Sequence, residues 1–94
     1  MLKITIDEQG TVHLQGRLDA SQTDEAAKML TKVTTSATVD FKNLEYISSA
    51  GLGVLIAAQK RLKQSGHGLT LANLNNHIRD VFRFARFDLI FKIE

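Results

Sequence analysis

The feature that most constrains this chain is a short run of serine and glycine between two apolar segments. Ser48, Ser49, Gly51 and Gly53 follow an apolar run at residues 37–41 and precede a segment with helical spacing. The pattern predicts a strand that leads into a helix, with two serines at the junction. In open α/β sheets, ligands and modified groups lie at this end of a strand. The unpaired amides of a helix start also favour an anion there.

The rest of the chain alternates between strand and helix patterns. Apolar and polar residues alternate, or apolar residues cluster, in five predicted strands near residues 2–6, 12–14, 37–41, 69–72 and 89–93. Residues 42–45 are predicted to form a turn. Three predicted helices have faces at helical spacing that are apolar except for Gln59: Ala26, Met29, Leu30 and Val33 in the first, Leu52, Leu55, Ile56, Gln59 and Leu62 in the second, Ile78, Val81, Phe82 and Ala85 in the third.

Capping residues complete this prediction. Ser21 is expected to cap the first helix, either Asn75 or Asn76 the third, and Gly66 is expected to end the second. The order ββαβαβαβ predicts an α/β fold with a mixed, largely parallel sheet that begins with a hairpin and is packed by three main helices. Residues 1–94 are expected to form a single domain.

Composition and charge exclude several classes of protein. The chain of 94 residues has no cysteine, so it cannot form disulfides or thiolate metal sites. No apolar run approaches the roughly 20 residues of a membrane span, and we expect a cytoplasmic protein. Residues 1–50 carry five Lys/Arg against seven Asp/Glu, and residues 51–94 carry seven against three. This mild polarity is typical of a solvated basic face and not of nucleic-acid binding.

The residues also argue against catalysis, a metal and a cofactor. His13, His67 and His77 are far apart and have no ligand spacing, and no phosphate-binding glycine loop is present. A hydrolase elbow needs Gly-x-Ser-x-Gly, whereas Ile47 occupies the first glycine position before Ser49. No histidine is placed by sequence to act as a base with Asp19 or Asp40. Two readings of the serine pair stay open: Ser48 or Ser49 caps the helix, or Ser49 carries a phosphate.

Four segments, in order, resemble the STAS domain family, and most closely its short bacterial anti-sigma-factor antagonists. The residues that carry the resemblance are the run Val39 to Leu55 with Ser48-Ser49-Ala50-Gly51-Leu52-Gly53, then Gly16-Arg17-Leu18-Asp19, Ile78 to Phe84, and Phe87 to Phe91. The resemblance covers nearly the whole chain. It implies a STAS-like single domain.

The resemblance further implies partner switching in transcription regulation. In such proteins the unphosphorylated form binds an anti-sigma factor that is also a GHKL-type serine kinase, phosphorylation releases it, and a metal-dependent serine phosphatase restores binding. By position, the phosphoacceptor is Ser49, and Asp19 and Asp40 match acidic positions near it. Many members have Asp where this chain has Ser48, which makes Ser48 a second candidate acceptor.

The expected partner surface is the start of the second helix with the adjacent loops, and its residues are Ser48, Ala50, Gly51, Leu52, Gly53 and Val54. Neither nucleic acid nor a membrane span is expected. Arg86 stands where the family usually has a helix-ending glycine, so the last helix is expected to end differently here. The alternative function is a STAS module of a lipid-transport or stressosome-like assembly without a sigma-factor role, since the fold itself does not decide function.

Overall fold

The computed structural model of the chain describes residues 1–84 and 86–94. Ala85, one of the predicted core positions of the last helix, lies outside the described residues. The strands are β1 (Leu2–Ile6), β2 (Val12–Leu18), β3 (Ala37–Ile47), β4 (Leu69–Ala72) and β5 (Lys92–Ile93). The helices are α1 (Thr23–Leu30), α2 (Ser49–Lys63) and α3 (Asn76–Phe84). The predicted order ββαβαβαβ is confirmed.

The five strands form one mixed sheet in chain order, β1-β2-β3-β4-β5. β1 and β2 pair antiparallel as a hairpin, and each later neighbour pairs parallel. Parallel neighbours need a crossover, which α1, α2 and α3 supply. Each helix therefore starts at the carboxyl end of one strand and runs back to the opposite end of the sheet. This arrangement gathers the three helix starts at one end and the three helix ends at the other.

The two faces of the sheet differ in chemistry. Inward side chains such as Val12, Val39 and Leu71 are fully buried and join helix residues such as Leu55 and Phe82 in one core. The outward face is polar, and its members include Lys3, Thr5, His13, Gln15, Arg17, Asp40, Tyr46 and Thr70. On this face the Arg17 guanidinium stacks 4.3 Å from the centre of the Tyr46 ring. In the described part of the chain, the helices thus cover one face and leave the other open.

β3 is longer than predicted, because residues 42–45 continue the strand to Ile47 and do not form a turn. The register against β2 shifts twice, once between Asp40 and Asn43 and once between Leu44 and Tyr46. Each shift places an extra residue in β3, as in a β-bulge. The bulges change the spacing of the buried residues from two to three, which removes the alternation by which a strand is recognised.

The predicted cap of the first helix is also wrong. Asp19, not Ser21, accepts hydrogen bonds at this point, from the Ser21 amide at 3.0 Å and the Ser21 hydroxyl at 2.7 Å. The Gln22 side chain accepts the Asp19 N–H at 3.0 Å and closes a capping box around a short 3-10 turn. α1 then ends at Leu30, and Arg61 of α2 donates to the Leu30 and Val33 carbonyls at 2.8 and 3.0 Å.

The segment after α3 corrects another prediction. Only Lys92–Ile93 forms a strand, whereas Phe87–Leu89 forms a 3-10 turn. Arg86 adopts a left-handed conformation with φ 61°, the conformation that a helix-ending glycine would adopt. The strand was wrongly predicted because Leu89, Ile90 and Phe91 form an apolar run that is typical of a buried strand. In the structure the 3-10 turn leaves Leu89 75% exposed.

Two further caps follow the sequence. The Asn75 side chain accepts the Ile78 N–H at 2.8 Å, so Asn75 and not Asn76 caps α3. Gly66 has φ 78° after α2, and the following His67 N–H returns to the Leu62 carbonyl at 2.9 Å, as in a glycine-terminated helix.

One buried polar side chain ties α2 to the end of the sheet. Gln59 is 3% exposed. Its Oε1 accepts the Leu69 N–H at 2.7 Å, and its Nε2 donates to the Ile90 carbonyl at 2.8 Å. Because both polar atoms are hydrogen-bonded, the amide costs little to bury. It fixes the position of residue 90 against α2 and β4.

Candidate functional site

The two serines at the junction of β3 and α2 have different structural roles. Ser48 is extended, with φ −90° and ψ 171°, and its Oγ accepts the Gly51 N–H at 3.1 Å. The Ser48 N–H donates to the Leu18 carbonyl at 2.9 Å, which attaches the start of α2 to the end of β2. Of the two serines that could cap the helix, Ser48 is therefore the N-cap of α2.

Ser49 is the first residue of α2, and its side chain is exposed. The Gly51 amide is taken by Ser48 Oγ, and the Leu52 amide donates to the Ser48 carbonyl at 2.9 Å. In a first helical turn the other amides, here those of Ser49 and Ala50, have no carbonyl one turn earlier to bind. An exposed hydroxyl therefore stands beside two amides and the positive end of the helix dipole.

The two glycines of this segment, Gly51 and Gly53, have different structural roles. A Cβ on Gly51 would lie 2.8 Å from both Leu18 Cγ and the Leu18 carbonyl oxygen, so only glycine lets α2 approach β2 this closely. A Cβ on Gly53 would meet nothing within 4 Å. Gly51 therefore serves packing, whereas Gly53 opens the outer surface of α2.

The predicted partner surface separates into outward and inward residues. Ala50, Gly53 and Val54 line a groove of about 520 Å³ between α1 and α2. Gly51 and Leu52 are buried instead, because they face the sheet. The groove also takes residues from α1 and from the last turns of α2 that the sequence reasoning did not include: Thr23, Ala27, Leu30, Thr31, Ala57, Ala58 and Arg61. Only the parallel packing of α1 and α2 reveals them, and no sequence signal pairs these two helices.

Asp19 lies near the serine pair, because it directly follows Leu18 and the Leu18 carbonyl accepts the Ser48 N–H. Hydrogen bonds from the Ser21 hydroxyl and amide lower the pKa of Asp19 from its ordinary value. Its carboxylate is thus ionised at neutral pH and adds negative charge to this end of the molecule, together with Asp24 and Glu25 in the first turn of α1.

Asp40 is separated from Ser49. It lies near the start of β3 opposite His13, whereas Ile47 lies opposite Leu18, and these five residues of β2 at ~3.3 Å each place it about 17 Å before Ile47. There it accepts the Asn73 side-chain amide at 3.0 Å and the Lys42 N–H at 2.9 Å, and it lies 3.3 Å from His13 Nδ1. Partial burial opposes the ionised form, but these hydrogen bonds outweigh it and lower the Asp40 pKa.

His13 links this carboxylate to the hairpin turn on the open face of the sheet. Its Nε2 lies 2.8 Å from Asp7 Oδ2, and this hydrogen bond raises the pKa of His13 and lowers that of Asp7. The spacing of the histidines in the sequence gave no indication of the network, since its members come from β1–β2, β3 and the loop after β4.

The described residues contain no cluster of three or more His, Asp or Glu side chains that could hold a metal ion. Within residues 1–84 and 86–94, no helix combines the length and the apolar character that crossing a bilayer requires.

The family model described as "Mlab, STAS domain" matches residues 4–92. The chain belongs to the STAS domain family. A Bordetella bronchiseptica protein that carries the provisional name anti-sigma factor antagonist BtrV is 34% identical over 84 residues, which is 85% of this chain and 72% of that protein.

Solved structures of anti-sigma factor antagonists share the fold. One from Mycobacterium paratuberculosis superposes with a TM-score of 0.82 at 18% identity, over 99% of this chain and 83% of its own. SpoIIAA in its unphosphorylated form gives 0.73 at 18% identity, over 100% and 87%. The STAS fold predicted from the sequence is confirmed.

Proposed function

We propose that this STAS protein is an anti-sigma-factor antagonist controlled by phosphorylation of Ser49. The observation that carries the proposal is the division of labour between the two serines. Ser48 caps α2 through its Oγ, so the exposed Ser49 hydroxyl is not needed for that purpose. A kinase can modify such a group without removing a structural hydrogen bond.

The proposed cycle has two binding states. The unphosphorylated protein binds an anti-sigma factor that is also a GHKL-type serine kinase, which frees the sigma factor. Phosphorylation of Ser49 releases the kinase, and a metal-dependent serine phosphatase restores the first state. The chain itself has no catalytic residue and no cofactor in this cycle, because the kinase and the phosphatase supply the chemistry. A cytoplasmic location follows from these partners.

The proposed contact surface is the start of α2 and the groove beside it. Ala50, Gly53 and Val54 line the groove one to five residues after Ser49, so a partner seated there lies against the phosphoacceptor. Ser48, Gly51 and Leu52 support this surface from within and from its edge. Asp19 places a carboxylate nearby, whereas Asp40 has no part in the site.

The switch is proposed to act through charge and bulk. A phosphate adds about −1.5 to −2 charge at neutral pH. In free solution this charge is tolerated beside the Ser49 and Ala50 amides and the helix dipole. In a docked interface it must lose its water, and the carboxylates of Asp19, Asp24 and Glu25 lie at the same end of the molecule. A loss of ~3 kcal/mol would weaken binding about a hundredfold.

The test is a pull-down from the native host followed by mass spectrometry of the bait. We expect the wild type and Ser49→Ala to retain a kinase, and Ser49→Asp to retain much less. Ser48→Asp is the matched control, because it adds the same charge one residue away while keeping a side chain that can cap the helix. Phosphate found on Ser48 and not on Ser49 would contradict the assignment.

The second candidate is a STAS module of a lipid-transport or stressosome-like assembly without a sigma factor. It is favoured by the description of the matching family model, which names Mlab and not an anti-sigma factor antagonist. The same pull-down separates the two functions. Retention of transporter components, unchanged by Ser49→Asp, would support the second and exclude the first.

A further inference from the structure

Three of the four large exposed hydrophobic side chains in the described part of the chain lie in one short segment, residues 84–90. Large hydrophobic residues exposed in the described part of the chain are Met1, Phe84, Leu89 and Ile90. Phe84 is the last residue of α3, Leu89 is the last residue of the 3-10 turn that follows, and Ile90 comes directly after it. Their exposed fractions are 93%, 75% and 40%. Single exposed hydrophobic residues are ordinary, but a cluster of them marks a contact surface.

The same segment is basic. Arg83, Arg86 and Lys92 are exposed within it, and Asp88 is the one acid in the sequence from 83 to 92. Consecutive turns hold the segment together, with the Arg86 amide on the Arg83 carbonyl at 3.1 Å and the Leu89 amide on the Arg86 carbonyl at 3.2 Å.

The end of α2 extends this basic character. Lys63 and Lys92 line a hollow of about 410 Å³ that also contains Ile90 and His67. The Gln59 amide donates to the Ile90 carbonyl at 2.8 Å, which fixes the backbone of residue 90 at this hollow. We call the residues Lys63, Arg83, Phe84, Arg86, Leu89, Ile90 and Lys92 the basic apolar surface.

The topology explains why the charge collects here. All three helices end at the same end of the sheet, and their last turns carry Lys28, then Lys60, Arg61 and Lys63, then Arg83. Cations suit the negative end of a helix dipole, so each helix favours them separately. Parallel packing then brings these cations to the same end of the sheet, opposite to the end that carries Ser49. They outnumber Asp7 and Glu8 of the hairpin turn, which lie at that end as well.

We infer that the basic apolar surface binds the surface of an anionic lipid bilayer. Exposed aliphatic and aromatic side chains beside Lys and Arg are typical of proteins that lie on a membrane interface, where the apolar groups enter the headgroup region and the cations contact anionic lipids. A nucleic acid would satisfy the cations, but it offers no apolar layer for Leu89 and Ile90. The bilayer satisfies both.

This orientation leaves the phosphoacceptor free. The molecule is 30 Å along its longest axis, and Ser49 lies at the end that faces away from the bilayer. Membrane binding and the phosphorylation switch are therefore independent, so each can fail in experiment without the other.

The test is flotation of the full chain with vesicles of phosphatidylcholine alone or mixed with phosphatidylglycerol. We expect binding only to the mixed vesicles, and weaker binding at high salt. Lys63→Gln/Arg83→Gln should weaken it about thirtyfold, at about fivefold per cation. The matched control Lys3→Gln/Lys42→Gln removes the same charge from exposed positions on β1 and β3 and should leave binding unchanged.

A second pair of substitutions separates a bilayer from other polyanions. Phe84→Ser/Leu89→Ser keeps every charge, and because both side chains are exposed the fold should be retained, which circular dichroism checks. We expect it to weaken vesicle binding tenfold or more. Ser49→Asp should bind vesicles like the wild type. Absence of binding to the mixed vesicles would overturn the inference, as would vesicle binding that Phe84→Ser/Leu89→Ser leaves unchanged, because the surface would then bind anions by charge alone.

Discussion

Replacing Ser48 with alanine should destabilise the protein, whereas replacing Ser49 with alanine should leave its stability almost unchanged. Ser48→Ala removes the oxygen that accepts the Gly51 N–H at 3.1 Å, at a half-buried position. Loss of an N-cap of this kind costs about 1 kcal/mol, within a range of about 0.5–2. Ser49→Ala removes an exposed hydroxyl, and surface changes away from such features stay within about 0.5 kcal/mol.

These free energies are measurable in a domain of this size. The total free energy of unfolding of a small domain is about 5–15 kcal/mol, so both variants should fold. A loss of about 1 kcal/mol lowers the Tm of a domain of 60–100 residues by about 4–8 °C. Thermal and urea unfolding, followed by circular dichroism on both variants and the wild type, gives the comparison directly.

Ser48→Asp is the control for this pair, because aspartate caps a helix as well as serine does. It should unfold at or near the wild-type temperature. If Ser49→Ala lowered the Tm as much as Ser48→Ala, the hydroxyl of Ser49 would be structural, and the division of labour behind the proposed function would be wrong. If Ser48→Ala left the Tm unchanged, the assignment of Ser48 as the cap that stabilises α2 would be wrong.

Three other predictions concern the glycines, the phosphorylated state and the open face of the sheet. Gly53→Arg should keep or slightly raise the stability of the protein but abolish binding to the cognate kinase in a pull-down, and unchanged binding would show that α2 is not part of the interface. Gly51→Ala should lower the free energy of unfolding by about 1–3 kcal/mol, because the new Cβ would lie 2.8 Å from Leu18. Phosphorylation of Ser49 should shift amide NMR signals only near the start of α2. Shifts across the whole domain would show that the switch acts by refolding the domain and not by charge and bulk. Because the pKa of His13 is raised above its ordinary value of 6.5, the stability that it contributes is fully present below pH 6.5 and is lost as the pH rises through the raised pKa. Because the pKa of Asp7 is lowered from its ordinary value of 3.8, its contribution is present above pH 3.8 and is lost as the pH falls through the lowered pKa. The difference in urea stability between the wild type and His13→Gln should therefore be larger at about pH 5 than at about pH 8, and equal differences would show that the ion pair contributes nothing.

Periodicity predicted the elements that obey a single period over their whole length. β1, α2 and β4 follow from alternation or from helical spacing, and the order of the elements gave the fold. β2 continues to Leu18, beyond the predicted residues 12–14, and α1 ends at Leu30, before Val33 of its predicted face. β3 was predicted too short because two bulges interrupt its alternation after Phe41. Bulges depend on how two strands pair, so one strand's sequence does not show them.

The site was predictable where it is local in sequence and not where it is formed by packing. Ser48 and Ser49 stood out because a cap must directly precede its helix. The groove between α1 and α2 was missed since it joins residues about 30 positions apart, such as Ala27 and Val54. Asp40 was expected near Ser49 by family position, but the extended strand between them separates the two.

The open polar face of the sheet makes this protein convenient to label. Because the chain has no cysteine, a single Gln15→Cys on this exposed face would accept one thiol-reactive fluorophore. The probe would lie outside the core, away from the start of α2 and away from the basic apolar surface. One labelled protein could then report kinase binding at one end and vesicle binding at the other, from the same fluorescence signal and without a label in either interface.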